Sequence, residues 1–273
     1  MNGKIKASVC ILTFNSAGTL SRALNSVKDF EEVIICDGGS TDETLDIARR
    51  YSCRIINQDR RCKDDDNAIK DFSCARNQCL AGSSFDWFLY IDSDEATSPE
   101  LVADIRRIAE DDSETYVYNI PVRIFIGDKL IKYSSNYPGY QNRFFSKKSG
   151  ARFVKPVHER IEYDRAKFPT TLLMSPWYVF MTEDEARHYL KHNIKYARRE
   201  ALRNVDISFI GYLKWIVYGS FKTILKINIK MLRNYVLHGF RDTMPFSVEY
   251  GRIAYALAVF LLVTGIKLKK IFL

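Results

Sequence analysis

The chain has 273 residues, 47% of them hydrophobic, and a net charge of +8 at pH 7; this leaves room for one large α/β domain with an appended element and sets aside a disordered chain. The charge is uneven: residues 1–186 hold 25 Lys/Arg against 29 Asp/Glu, and residues 187–273 hold 16 against 4, so the two parts carry −4 and +12. A basic block of that size points to a polyanionic partner, nucleic acid or anionic lipid, and charge alone does not choose between them.

At the N-terminus, MNGKIKASVCILTF joins two lysines to a short apolar run that polar Thr13 and Asn15 cut off before a signal-peptide core is complete. It is predicted as a first strand, and export is not expected. Residues 7–14 (ASVCILTF) are continuously β-prone, and Leu20, Ala23, Leu24 and Val27 come next at the spacing of a helix face. The pattern repeats in EEVIICDGG (31–39), after which Ser40-x-x-Glu43 reads as a capping box opening a helix with Leu45, Ile47 and Ala48. CRIINQ (53–58) is a third strand. Beyond the charged loop RRCKDDDN, a helix is predicted over 68–81, then a buried strand in DWFLYIDSDE (86–95), then a helix started by Ser98-Pro99.

Strands alternating with helices imply βαβ units: a mainly parallel α/β sheet with helices on both faces and ligands at the carboxyl ends of the strands. From 115 to 163 the texture changes to strands and turns, with a hairpin signal at Gly127-Asp128, which predicts an antiparallel extension. A long helix is predicted over 183–204. The six cysteines, Cys10, Cys36, Cys53, Cys62, Cys74 and Cys79, form no C-x-x-C pair suited to zinc and are expected to be reduced thiols.

Residues 207–240 carry apolar residues at helical spacing, with Lys222, Lys226, Lys230 and Arg233 making one basic face. Such a helix suits the plane of an anionic membrane surface; the alternative is a core-packing helix with a solvated lysine stripe. Ile253–Ile266 is apolar for 14 residues and ends in Lys267, Lys269 and Lys270, short of the roughly 20 needed to span a bilayer, so interfacial seating is expected over crossing. Tyr212, Trp215 and Tyr218 fit an interfacial belt or a core equally. Nucleic-acid binding is disfavoured because long aliphatic runs interleave the basic residues and no binding motif is present.

Three polar clusters end three strands: Thr13-Phe14-Asn15, Asp37-Gly38-Gly39-Ser40-Thr41-Asp42 and Asp92-Ser93-Asp94-Glu95. Alone, Asp-Gly-Gly-Ser is a common turn and Asp-x-Asp a solvated loop or cap. Parallel topology would bring the three together, and carboxylates two residues apart beyond a buried strand can hold a hard divalent cation against a diphosphate. Asp64-Asp65-Asp66, among Arg60, Arg61 and Lys63, reads instead as a solvated loop.

In this order, with an Ala75-Arg76-Asn77 helix between, the clusters resemble the family 2 glycosyltransferases of GT-A fold over about residues 7–100. Arg143-Phe144-Phe145, Val157-His158-Glu159 and Tyr235–Asp242 (YVLHGFRD) are similar to bacterial members that add glucose or a similar sugar to a lipopolysaccharide core or another surface glycan; a glycine expected after Asp242 is Thr243. The resemblance implies a catalytic domain over 1–182, with a nucleotide-binding half at 1–100 and an acceptor half at 101–182, and a helical, membrane-associating region at 183–273. It places Thr13 and Asn15 near the nucleotide, Asp37 on the base, Arg76 near the base or diphosphate and Asp92 near the ribose or metal. Asp94 is implied as the main ligand of Mg²⁺ or Mn²⁺ and Glu159 as the catalytic base. His158 is open to two roles, completing the metal shell or touching the diphosphate beside Glu159.

The activity so implied is inverting, metal-dependent transfer from a nucleotide-sugar donor, UDP-linked, to a lipid-linked glycan or lipid A-core acceptor. It would take place in the cytoplasm, peripherally on the inner face of the cell membrane. Sugar-phosphate nucleotidyltransferases fit less well, since TFNSAGTL stands where they carry a glycine-rich loop. A catalytically silent GT-A-like scaffold in a membrane glycan-assembly complex is the other reading, and the intact Asp92, Asp94 and Glu159 argue against it.

Overall fold

The computed structural model describes residues 3–65, 67–111, 115–156, 159–204 and 206–272. The chain forms two compact units, one of Met1–Arg123 with Pro138–Val179 and one of Ile124–Tyr137 with Phe180–Leu273. The second unit differs from the expected 183–273 region in beginning at Phe180 and in taking in Ile124–Tyr137 from the 101–182 stretch.

The first unit opens with β1 (Ile5–Thr13), α1 (Ala17–Ser26), β2 (Phe30–Asp37), α2 (Thr44–Arg50), β3 (Arg54–Asn57), α3 (Phe72–Gly82) and β4 (Trp87–Asp92). β1 pairs in parallel with both β2 and β4, and β2 with β3. Continuous apolar runs form these strands because both sheet faces are covered. Cys10, Leu12, Ile34, Cys36, Phe88 and Tyr90 cluster with Ala75 and Cys79 of α3. Val9, Ile11, Ile35 and Leu89, of the opposite parity, are equally inaccessible.

The chain continues through β5 (Glu95–Thr97), α4 (Pro99–Glu110), β6 (Val117–Ile126), β7 (Lys129–Ile131), β8 (Tyr140–Ser146), β9 (Arg152–Val154), β10 (Arg160–Glu162), β11 (Thr170–Leu172) and β12 (Trp177–Met181). The antiparallel extension is present: β8 runs antiparallel to β4 and β6, and β12 antiparallel to β5. The sheet order is β3-β2-β1-β4-β8-β6-β12-β5, and β9 and β10 make a separate ribbon.

The second unit carries α5 (Glu183–Arg187), α6 (Tyr189–Arg203), α7 (Phe209–Gly211), a π-helical segment Tyr212–Tyr218, α8 (Gly219–His238) and α9 (Phe246–Phe272). Ala197 and Ala201 of α6 pack with Ile216 and with Val259 and Val263 of α9. The β6–β7 hairpin turns at Gly127, φ +58°, and the YVLHGFRD segment anchors Lys132 and Tyr133 just beyond it. The Asp242 carbonyl accepts the Lys132 and Tyr133 N–H groups at 2.9 and 3.1 Å, its carboxylate takes Lys132 Nζ at 2.9 Å, and His238 stacks on Tyr133 at 3.6 Å. Thr243 fits where the resemblance suggests glycine, buried and donating to the Gly239 carbonyl at 2.7 Å.

Several expectations change. The Ser40–Glu43 capping box does not form: Ser40 bonds to Asp37, and the Asp42 carboxylate accepts the Thr44 N–H at 3.0 Å instead. The helix predicted from 68 begins at Phe72, because Asp71 caps it by accepting the Cys74 N–H at 3.0 Å. The helix over 183–204 is two helices broken at His188, the first opened by a capping box of Thr182 and Glu185. Cys62 and Cys74 form a disulfide, while Cys10, Cys36, Cys53 and Cys79 are free thiols. The apolar run 253–266 lies inside a helix of 27 residues, and the stretch Phe246–Lys269 is by length and composition apolar enough to cross a membrane.

The start of α4 tests local coding. Ser98 is fully buried and accepts the Leu101 N–H at 3.1 Å, with proline in the first turn. Ser98→Ala should lower stability by about 1 kcal/mol, measured by urea denaturation, without changing the circular dichroism of the folded protein.

Candidate active site

Register sets the site. Thr13 stands opposite Asp37 across β1 and β2, and Leu12 opposite Asp92 across β1 and β4, so three polar strand ends share one edge of the sheet. Asp37 is 1% exposed. Its carboxylate accepts the Thr13 hydroxyl, the Gly39 N–H and the Ser40 N–H, each at 2.8 Å, and the Ser40 hydroxyl at 2.5 Å. Four donors disperse a buried charge and wrap the glycine loop around it. Gly39 has φ +99°, which excludes a side chain without strain, and a Cβ at Gly38 would meet the Thr13 carbonyl at 3.2 Å.

Asn15 adopts φ +48° and is exposed. Its N–H donates to Ser40 Oγ, and its side-chain oxygen accepts the Thr41 N–H, both at 2.9 Å. Lys63 Nζ donates to the Gly38 carbonyl at 2.7 Å. Asp64 closes its own loop by accepting the Ala68 N–H at 2.9 Å, and Asp65 is fully exposed; Asp66 is outside the described residues. The polar loop thus props the glycine loop and gathers no second carboxylate site among the described residues.

Arg76 projects from α3 beneath this edge and has no solvent exposure. It ion-pairs with Asp92 and donates to the Ile91 carbonyl at 3.1 Å. Its Nε lies 3.5 Å from the Glu159 carboxylate, and its guanidinium lies over the Tyr90 ring at 5.1 Å. Burial alone would push the Asp92 carboxyl up, but the Arg76 charge, and then Arg143, hold it below the usual carboxylate range. Arg76 therefore joins the carboxylate at the end of β4 to one just before β10. Glu159 borders a cleft of ≈ 350 Å³ shared with Tyr90, Asn119, Gln141, Arg160 and Arg165. Val157 and His158, with the two roles expected of His158, fall outside the described residues.

In the sequence, Glu95 and Arg143 are named only as members of two motifs, neither with a role of its own, and Trp177 is not named. Glu95 is 5% exposed. It accepts the Asp92 N–H at 2.8 Å, Arg143 Nη2 at 2.8 Å and the Trp177 indole N–H at 3.2 Å. Arg143 also lies over the Tyr90 and Trp177 rings, each at 4.8 Å. The available signal was Arg143 itself, since a cation in a strand of buried phenylalanines requires a buried anion. Glu95 fixes the turn carrying Asp92 and Asp94, and Ser93 ties that turn to the β1 loop through Ser16 at 3.0 Å.

Asp92 is partly exposed and Asp94 is exposed. No group of three or more His, Cys, Asp or Glu is assembled among the described residues. Two carboxylates fit a hard cation that takes its remaining oxygens from a bound diphosphate and from water, and do not make an all-protein cage.

Residues 8–171 match Glycosyl transferase family 2. That is more than half of the chain, and the chain belongs to this family. The mainly parallel sheet with an antiparallel extension and C-terminal helices is the fold class expected of it. Among relatives, the SPbeta prophage-derived glycosyltransferase SunS of Bacillus subtilis is 28% identical over 156 residues, 55% of this chain and 33% of that protein. The chain matches about a third of the length of the curated relatives. Of solved structures, Staphylococcus aureus TarS 1–349 in complex with UDP-GlcNAc aligns over 97% of this chain and 92% of that chain, at 15% identity and a TM-score of 0.48. Glucosyl-3-phosphoglycerate synthase from Mycobacterium tuberculosis, in complex with Mn²⁺, UDP-glucose and phosphoglyceric acid, aligns over 43% of each chain, at 21% identity and a TM-score of 0.34.

Burial pushes the Glu95 carboxyl up to about 7 from an ordinary 4.5, with Arg143 opposing the shift. The folded state thus holds a proton that the unfolded state has released, and the stability this group contributes falls as pH rises from about 4.5 through 7. Glu95→Gln carries no such proton. Its stability relative to wild type should rise by roughly 2–3 kcal/mol between about pH 5 and pH 8, read from urea denaturation.

Proposed function

We propose that this chain transfers a sugar, glucose or one similar, from a UDP-linked donor to a lipid-linked surface glycan of the lipopolysaccharide-core kind, with inversion at the anomeric carbon. The observation that carries the reading is the Arg76 bridge: the polar strand ends and the cleft beside Glu159 meet at one buried cation.

The strand-end loops suit the donor. Thr13, Asn15 and the loop shaped by Asp37 line the edge where a nucleoside would lie, with exposed amide and hydroxyl groups to read its base. Asp92, held ionised by Arg76, faces the ribose or the diphosphate. Asp94 and Asp92, with His158 as a third candidate, would hold Mg²⁺ or Mn²⁺, which when bound offsets the charge of the diphosphate. Arg76 itself is enclosed, so it acts on the donor through the carboxylate it holds in place.

Glu159 suits the acceptor. Its carboxylate borders the cleft, and Asn119, Gln141 and Tyr90 offer polar and aromatic surface for a saccharide. Glu159 takes the proton from the acceptor hydroxyl as that oxygen attacks the anomeric carbon. The bond from that carbon to the diphosphate oxygen breaks, and the nucleoside diphosphate leaves with the bonding pair. Arg76 keeps the Glu159 carboxylate aimed while the proton moves.

Incubation with a panel of UDP-, GDP- and ADP-sugars, with and without Mn²⁺ or Mg²⁺, tests the reading by nucleoside diphosphate release. Selective, metal-dependent release with UDP-sugars, abolished in Asp94→Ala, is the expected result. Absence of both release and calorimetric donor binding overturns it. Glu159→Gln should bind donor as wild type does and turn over about 10²- to 10⁴-fold more slowly; turnover near wild type removes Glu159 from the base role.

A further inference from the structure

A helix packed against its own protein turns its apolar side inward, yet the segment Phe209–His238 also presents one to solvent. Tyr218, Phe221, Leu225, Ile229, Leu232 and Val236 recur at intervals of three or four, which places them along one face. They are between 50% and 75% exposed, with α9 already packed against α8. The inward side is a different set: Ile216, Ile227 and Asn234 are the buried positions.

One residue beyond members of this ridge stand Lys222, Lys226 and Arg233, all exposed. Lys230 is partly buried, and its ammonium donates to the Tyr137 carbonyl at 2.8 Å. Between residues 207 and 241 there is no Asp or Glu. At the amino-terminal end Trp215 is 65% exposed, with Lys214 over its ring at 5.2 Å. The segment thus has three longitudinal strips: apolar outward, cationic at its border, and packed inward.

We propose that this ridge is a docking surface for an anionic lipid bilayer, with the helix lying in the membrane plane and its apolar strip in the boundary between headgroups and acyl chains. Burying the strip removes large apolar side chains from water. The bordering cations meet lipid phosphates at the same depth, and the aromatic end suits the interface. The charge pattern selects this occupant: a second copy packed ridge to ridge would bring two cationic borders together with no acidic residue between 207 and 241 to answer them. The inference shares only a membrane location with the proposed transfer reaction, and vesicle binding needs neither donor nor acceptor, so either reading can fail without the other.

The test is co-sedimentation of the purified full-length chain with vesicles of phosphatidylcholine alone and of phosphatidylcholine with roughly 30% phosphatidylglycerol, at low and high salt. Binding should favour the anionic vesicles about tenfold and weaken with salt. Reversing the border (K222E, K226E and R233E together) should lower affinity for anionic vesicles about 100-fold. F221S, L225S and I229S together, with all charges kept, should lower it at least about tenfold. These positions are exposed, and unchanged circular dichroism verifies that each variant is folded. Wild-type-like binding by both variants overturns the proposal, as does failure of the wild type to bind either vesicle. Dimerisation that the serine variant abolishes, without vesicle binding, assigns the ridge to a second copy and also overturns it.

Discussion

A guanidinium without solvent is costly unless anions answer its charge, and neutral carbonyls and rings replace only part of its hydration. At Arg76 the answer comes from two places in the chain, Asp92 at the end of β4 and Glu159 just before β10. Each carboxylate alone would be a polar residue near a strand end. Held by one cation, they become parts of a single site whose halves lie far apart in sequence. α3 supplies the cation because small Ala75 and Cys79 let the helix sit close on the sheet, which brings position 76 beneath the strand ends.

Asp37 works differently. Its carboxylate takes hydrogen bonds from its own loop and from Thr13, so it shapes the glycine loop. The edge of the sheet therefore has an ordered polar rim at β1 and β2 and an ionic centre at β4.

Much of this is legible in the sequence. ASVCILTF and EEVIICDGG can only be strands buried on both faces, and parallel pairing then forces their polar ends together. That places Thr13 and Asp37, and the same reading of DWFLYIDSDE places Asp92 beside them, whereas the roles given to them come from the family resemblance. The features that local patterns miss are tertiary. Glu95 looks like one more acid in a polar cluster, because its partners Arg143 and Trp177 arrive from β8 and β12. Ser40 reads as a helix cap, but a nearer carboxylate claims it. α9 reads as a short apolar run because Glu249 and Arg252 interrupt the pattern, but these two pair with each other, and Glu249 with Ser134 and Ser135, so the helix runs through them. The Cys62–Cys74 bond depends on a loop folding back to the start of α3, which spacing does not show.

The Glu95–Arg143 pair also bears on how this chain can change by descent. Above about pH 7, where Glu95 is ionised, removing one member of the buried pair leaves the other charge unanswered, at a cost of about 3–5 kcal/mol, whereas replacing both by apolar groups of similar volume is often neutral. A lineage changing one codon at a time must pass through the costly single replacement, which takes up much of the stability an ordinary domain has. The two positions are therefore bound to vary together or not at all, and the turn that carries Asp92 and Asp94 inherits that immobility.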